Sequence, residues 1–268
     1  MIPPFIPLEA TADPMRFRLT VQRELCVGPE NHVFMFGGVG LACAVEAAKR
    51  VTGRELIWAT AQYLSYARPG AVLDVDVRLP VVGHNVTQAV INLHCGDDVI
   101  ISATAALGER QGYPSAQWFD MPAMPAPDAC INWPLWPAQG GKLMERLDLR
   151  IAPGSVATRP RTGELDPSGR MQMWMRTVDD APIDATVLAM FGDFVPTGAA
   201  VVLGRVGGGN SLDNTLRLRA VVPTRWVLCD IQMSAADRGF AQGHLRLFAE
   251  DGTLMATASQ SLVLRLAK

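Results

Sequence analysis

The chain has 268 residues, of which 49% are hydrophobic and 19% charged, and a formal net charge of −2. That suits one large globular domain or two smaller ones with real cores. The balanced charge excludes an electrostatic case for nucleic acid or an anionic membrane surface, and no block of like charge marks an interaction tail.

The N-terminus, MIPPFIPLEATADP, has no basic residue before Arg16, and prolines interrupt its apolar residues. Neither a signal peptide nor a transit peptide is expected. No apolar run is expected to approach the roughly 18 residues of a membrane span, so no membrane partner is expected either. A first strand is expected over residues 17–25. The next stretch, FMFGGVGLACAVEAAKRV (34–51), carries an apolar run into Gly37, Gly38 and Gly40 and then into a helix over 39–51, where only Glu46, Lys49 and Arg50 are polar. A helix apolar nearly all round is a buried one. A dinucleotide loop would need G-x-G-x-x-G/A followed by a parallel strand with an acidic end. Here Cys43 fills the third small position and antiparallel-type strands follow. The glycines are therefore read as packing residues that let a buried helix start close to the sheet around it.

Leu73, Val75, Val77 and Leu79 alternate with Asp74, Asp76 and Arg78, the period of a half-buried strand. Gly96-Asp97-Asp98 sits where a hairpin should turn. From 111 to 153 the chain is proline-rich (MPAMPAPDACINWPLWPAQGG), which favours an extended crossover. Strands are expected over 171–176, 216–219 and 261–266, with Asp251-Gly252 as a second hairpin turn.

The chain repeats itself. Laid without a gap, the segment from Arg68 matches the segment from Val222: Pro69 meets Pro223, Asp76 meets Asp230, Gln88 meets Gln242, Leu93 meets Leu247 and Asp97 meets Asp251, each pair 154 apart. The apolar register agrees as well, so the chain reads as a duplication. The expected class is α+β: two tandem domains, each a curved antiparallel sheet wrapped around one long buried helix. The expected divisions are 1–110, a crossover at 111–153, and 154–268.

Other constellations carry little chemistry. Cys26, Cys43, Cys95, Cys130 and Cys229 are scattered and odd in number, as in a reduced cytoplasmic protein. His32, His84, His94 and His244 form no metal-ligand spacing, and neither metal nor cofactor is expected. Gly209-Asn210-Ser211-Leu212-Asp213 is a near miss to the nucleophile elbow, without its final glycine. Met171, Met173 and Met175 read as core or as the wall of an apolar pocket.

The second copy departs from the first at polar positions. Phe36-Gly37-Gly38 corresponds, at an offset of 155, to Phe191-Gly192-Asp193, placing a carboxylate at the start of the second helix. Asp193 reads either as a functional acid or as a helix N-cap. Gln260 replaces Ala106 and needs partners if it is buried, or else faces solvent. Ser211 and Asp213 suit a turn or cap. Together these residues give copy two a polar cluster that copy one lacks.

At these residues the chain resembles the acyl-CoA thioesterase II family, proteins of two fused hot-dog domains, from about residue 34 to 265. The blocks that carry the resemblance include VFMFGGVGLACAVEAA, AQYLSYARPG and GHNVTQAVINL, then MWMRTVDDAPIDATVLAMFGDF, SLDNTLRLRAVVPTRWVL and ADRGFAQGHLRLFAEDGTLMATASQ. The resemblance implies hydrolysis of acyl-CoA thioesters by a water held between Asp193, Gln260 and a hydroxyl. Ser211 is the better match for that hydroxyl and Thr215 the second choice. It also implies substrate contacts at Gly38, Gly83, His84 and Gly239, and a homo-oligomer. Three departures stand out. Asp213-Asn214-Thr215 replaces the common Asp-His-Ser/Thr, Gly83-His84-Asn85 replaces Gly-Arg-Ser, and Ser261 replaces an acidic residue after Gln260. The competing reading is a non-catalytic acyl-CoA or acyl-carrier binding module on the same fold. A double hot-dog hydratase would want a histidine near the second helix, and none lies between His94 and His244.

Overall fold

The computed structural model describes residues 5–133 and 142–267. The first half runs β1 (Glu9–Ala10), β2 (Arg16–Thr20), β3 (Cys26–Val27), β4 (Phe34–Met35), α1 (Gly37–Thr52), β5 (Leu56–Tyr63), β6 (Val72–Val82), β7 (Val86–Cys95) and β8 (Asp98–Gly108). The second runs β9 (Ile131–Asn132), β10 (Leu147–Ile151), β11 (Arg170–Thr177), α2 (Ala185–Phe191), α3 (Val195–Val202), β12 (Gly207–Ser211), β13 (Asp213–Leu218), β14 (Val227–Asp237), β15 (Phe240–Ala249) and β16 (Leu254–Leu266). One antiparallel sheet orders them β1-β2-β6-β7-β8-β5-β13-β16-β15-β14-β11-β10-β9, with β12 also on β16 and β3–β4 separate. The sheet curves over the helices, and α1 is buried from Gly38 to Ala48 except at Glu46. That glutamate accepts from Arg50 at 2.7 Å and from Thr186 of α2 at 3.1 Å, so the two halves' helices are tied together.

The duplication is visible in the ion pairs. Arg16 Nε lies 2.8 Å from Asp76, and Arg170 Nε, 154 residues on, lies 2.6 Å from Asp230. The halves meet where β5 pairs with β13, with Thr60 opposite Thr215 and Gln62–Asp213 mirrored by Trp58–Arg217. Thr60 and Thr215 are 155 apart in sequence, and their hydroxyls hydrogen-bond at 2.7 Å on the local twofold. Thr60→Val strands the Thr215 hydroxyl and should cost about 1 kcal/mol, whereas the double Val variant should cost less than two single ones. Urea melts of the three variants measure this.

Several expectations need correction. The gapless alignment fails at the second hairpin. Cys95 pairs with Asp98 around two residues, but Ala249 bonds to Thr253 around three. Beyond that turn the offset is 155. Ala105 faces Ala89, and Gln260 faces Gly243, so the counterpart of Gln260 is Ala105 and not Ala106. The strand expected over 17–25 is β2, which ends at Thr20, because exposed Gln22, Arg23 and Glu24 break the alternation and Arg23–Leu25 form a 3-10 turn. The second helix is two helices. Pro196 in the first turn of α3 cannot continue α2, since its ring would meet the carbonyl four residues back. Ala185–Val202, as a sequence, is long and apolar enough to span a membrane, contrary to expectation; in the fold it is broken in the middle and 89% buried. Within the stretch read as an extended crossover, Leu147–Ile151 forms a strand paired with β11. Earlier in that stretch, Met121, Met124 and Cys130 cover Trp174, Trp226 and Phe248 on the outer face of the sheet.

Candidate active site

The break between α2 and α3 places Asp193. Gly192 caps α2, Phe194 caps α3 without a side-chain bond, and the carboxylate between them is left free to point elsewhere. Helix capping in this half falls to Asp184, which accepts the Val187 N–H at 2.9 Å, so the N-cap reading of Asp193 is overturned. Ser211, at the end of β12, donates its hydroxyl to Asp193 Oδ1 at 2.9 Å. Gln260, in the middle of β16, donates Nε2 to the same oxygen and to Ser211 Oγ at 3.1 Å. The Val195 N–H donates to Gln260 Oε1 at 3.3 Å, and that contact fixes which end of the amide faces the acid. Gln260 is therefore not a solvent-facing strand residue: it and Asp193 are each 3% exposed.

The first half completes the site. The Gly38 N–H, at the start of α1, donates to the Asp193 carboxylate. A Cβ built on Gly37 would lie 2.7 Å from Asp193 Oδ2, and one on Gly38 would lie 2.5 Å from the Met190 carbonyl oxygen. Close approach is the reason for these glycines, and at Gly38 the partner is the other half's helix. Toward the sheet, Gly40 would meet Ile101 of β8 and Gly37 would meet the Tyr63 ring of β5. Burial pushes the Asp193 carboxyl up to about 6, outweighing the hydrogen bonds from Ser211, Gln260 and Gly38 that favour its charged form.

Asp193 opens on a cavity of about 1000 Å3. One wall is aromatic: Phe36 and Phe194 meet edge to face at 5.5 Å, and Phe34 meets Tyr66 at 5.1 Å. Arg161, Arg205 and Arg265 also line it, and Asp193 is the one carboxylate among the described lining residues. Arg205 and Arg265 are exposed, and Arg265 Nε donates to Asn210 at 3.0 Å. Among the described residues no group of three or more His, Cys, Asp or Glu is placed to hold a metal.

Of the expected site residues, Asp193, Ser211, Gln260 and Gly38 come together. Thr215 does not: it projects from the other face of β13 onto Thr60. Gly83, His84 and Gly239 lie outside the cavity lining. Gly83 donates to the Val86 carbonyl, and His84 Nδ1 meets Asn85 at 2.9 Å in the β6–β7 turn. Gly239, at a φ of +81°, turns the β14–β15 hairpin. Their glycines answer to turn geometry. Asp213 accepts the Ser261 N–H at 2.8 Å, a local strand contact. The cavity arginines and Tyr63 carried no sequence spacing that would have singled them out.

A model of the acyl-CoA thioesterase N-terminal domain matches residues 29–108, and one of the C-terminal domain matches 125–264. A crystal structure from Novosphingobium aromaticivorans, provisionally named a thioesterase, is 35% identical with a TM-score of 0.87, over 96% of this chain and 98% of that one. A hot-dog protein of unknown function from Alicyclobacillus acidocaldarius is 20% identical with a TM-score of 0.83, over 97% and 96% of the two chains. Acyl-CoA thioesterase II TesB2 from Mycobacterium marinum is 22% identical with a TM-score of 0.74, over 97% and 96%. No curated protein matches the chain. With both domain models matched in order over most of its length, the chain belongs to the acyl-CoA thioesterase family of double hot-dog proteins and is a thioester hydrolase.

Proposed function

We propose that the chain hydrolyses acyl-CoA thioesters by direct attack of water, with Asp193 as general base. The observation that carries the reading is a buried carboxylate, raised to about 6, held by Ser211 and Gln260 at the wall of a largely apolar cavity. Oδ1 receives both side-chain hydrogen bonds, which leaves Oδ2, on the Gly37 side, to take the proton of a water. A base near pKa 6 is mostly ionised at neutral pH and still basic enough to accept that proton. As the water oxygen bonds to the thioester carbon, negative charge grows on the carbonyl oxygen beside the positive end of α1. Collapse breaks the C–S bond, and the CoA thiolate takes the proton back from Asp193.

The aromatic wall suits an acyl and pantetheine chain, and Arg161, Arg205 and Arg265 suit the phosphates of CoA. All five cysteines are free, which supports a reducing cytoplasmic location.

Thiol release across a panel of acyl-CoAs tests the reading, and saturable binding without release would favour the non-catalytic module. Ser211→Ala separates direct water attack from an acyl-enzyme. If Ser211 only positions the water and Asp193, kcat should fall about 10- to 100-fold, and quenched reactions should hold no acyl-protein. An ester trapped on Ser211 would overturn direct attack.

A further inference from the structure

Next to Asp193 the fold buries polar groups that the proton transfer above does not use. The Tyr63 hydroxyl and both amide atoms of Asn214 are enclosed and satisfy no hydrogen-bond geometry. Leaving a buried polar group unpaired is costly, so three together call for a reason. They sit side by side: Asn214 pairs across the strands with Ala61, and Tyr63 is two residues further along β5, on the same helix-facing side of the sheet. The Asn214 carboxamide lies close enough to the phenol to favour its charged form, although no bond between them meets hydrogen-bond geometry. A Cβ built on Gly37 would lie 2.7 Å from Asp193 Oδ2 and 3.2 Å from Tyr63 Cζ, so the acid and the phenol flank one backbone position. Tyr63 also lines the cavity.

The duplication supplies an internal control. At the 155 offset anchored by Thr60 and Thr215, the counterpart of Tyr63 is Leu218 and that of Asn214 is Ala59. The same offset takes Asp193 to Gly38, Ser211 to Leu56 and Gln260 to Ala105. Tyr63 and Asn214 thus belong to the set of residues that is polar on the Asp193 side of the twofold and apolar or absent on the other. Packing alone gives no reason for that asymmetry.

We propose that the Tyr63 hydroxyl, oriented by Asn214, donates a hydrogen bond to the thioester carbonyl oxygen and to the oxyanion it becomes. The proton stays on tyrosine throughout; the attacking water's proton goes to Asp193 and then to the departing thiolate. Burial and the neighbouring Asp193 charge hold the phenol well above its ordinary range, so it remains an O–H donor at every working pH. Asn214 is a positioning residue, acting through Tyr63.

The inference rests on the hydrolase reading, and the experiment separates the two. Tyr63→Phe removes one oxygen and little packing. It should lower kcat about 10²- to 10³-fold, the usual loss for one oxyanion donor, with KM and melting temperature near wild type. A thioether analogue of acyl-CoA, which lacks the thioester carbonyl, should bind the variant and wild type equally. Asn214→Ala should lower kcat less, and add nothing in the Tyr63→Phe background. If Tyr63→Phe keeps kcat within twofold of wild type while Asp193→Asn is inactive, the tyrosine's role is wrong and the general base stands. If wild type releases no thiol from any acyl-CoA, both fail. Loss of thioether binding or of stability together with rate would mark Tyr63 as structural.

Discussion

Asp193→Asn should lower kcat/KM on the best acyl-CoA by about 10³-fold, inside the 10²–10⁴ range of a lost general base, and should also change how stability depends on pH. The folded carboxyl sits at about 6, against 3.8 for an ordinary aspartate. Between those values the folded state binds more protons than the unfolded chain. The contribution of this carboxyl to stability is therefore greatest below about pH 4, falls as pH rises to about 6, and levels off above it. The total is on the order of 3 kcal/mol, from a shift of about two units at roughly 1.4 kcal/mol each. Asparagine has no charge to desolvate, and its carbonyl oxygen still accepts from Ser211 and Gln260. Subtracting the variant's unfolding free energy from that of wild type at pH 4.5, 5.5 and 7 isolates this group from the other carboxylates. The difference should move steadily against wild type as pH rises. Parallel curves would show that Asp193 is not raised, and retained turnover would remove it from the chemistry. Wild-type kcat/KM should in turn fall on the acid side with a midpoint near 6.

Much of this was legible in the sequence because it lay in local patterns. Alternation marked β6, the apolar run marked α1, and the change from glycine to aspartate between copies pointed to the half that holds the acid. The rest depended on distant partners. One extra residue in the second hairpin moved the counterpart of Gln260 from Ala106 to Ala105, and no ungapped alignment reveals that. Pro196 was in plain view as a helix breaker, yet only the fold shows that the break frees Asp193 from capping. Gly83, His84 and Gly239 stand in family-like blocks, but hairpin geometry accounts for two of them and the cavity lies elsewhere. Tyr63 stood unremarked in AQYLSYARPG, because its neighbour Asn214 comes from β13, far away in sequence.

Gly38→Ala should damage both stability and turnover. At an exposed helical position alanine stabilises relative to glycine by about 1 kcal/mol. At Gly38 the added carbon would meet the Met190 carbonyl oxygen at 2.5 Å, Phe36 Cε1 at 2.7 Å and Asp193 Cβ at 2.9 Å. The carbonyl belongs to α2 and has no rotamer to yield, so α1 and α2 must separate. Overpacking of this kind costs about 1–3 kcal/mol, and the melting temperature should fall by several degrees. Turnover should fall further, by about 10²-fold, because a shift near 1 Å in Asp193 misplaces the base. Gly208→Ala is the matched control, since a Cβ there meets nothing within 4 Å, and its melting temperature should be unchanged. A Gly38→Ala protein as stable as wild type would sink the close-approach argument. The same geometry explains why the two copies differ. Gly38 and Asp193 are counterparts in the duplication, yet they face each other across the twofold with room for one side chain. An acid on one side requires a glycine on the other, so a fused pair of hot-dog domains arranged this way holds one carboxylate at the junction and not two.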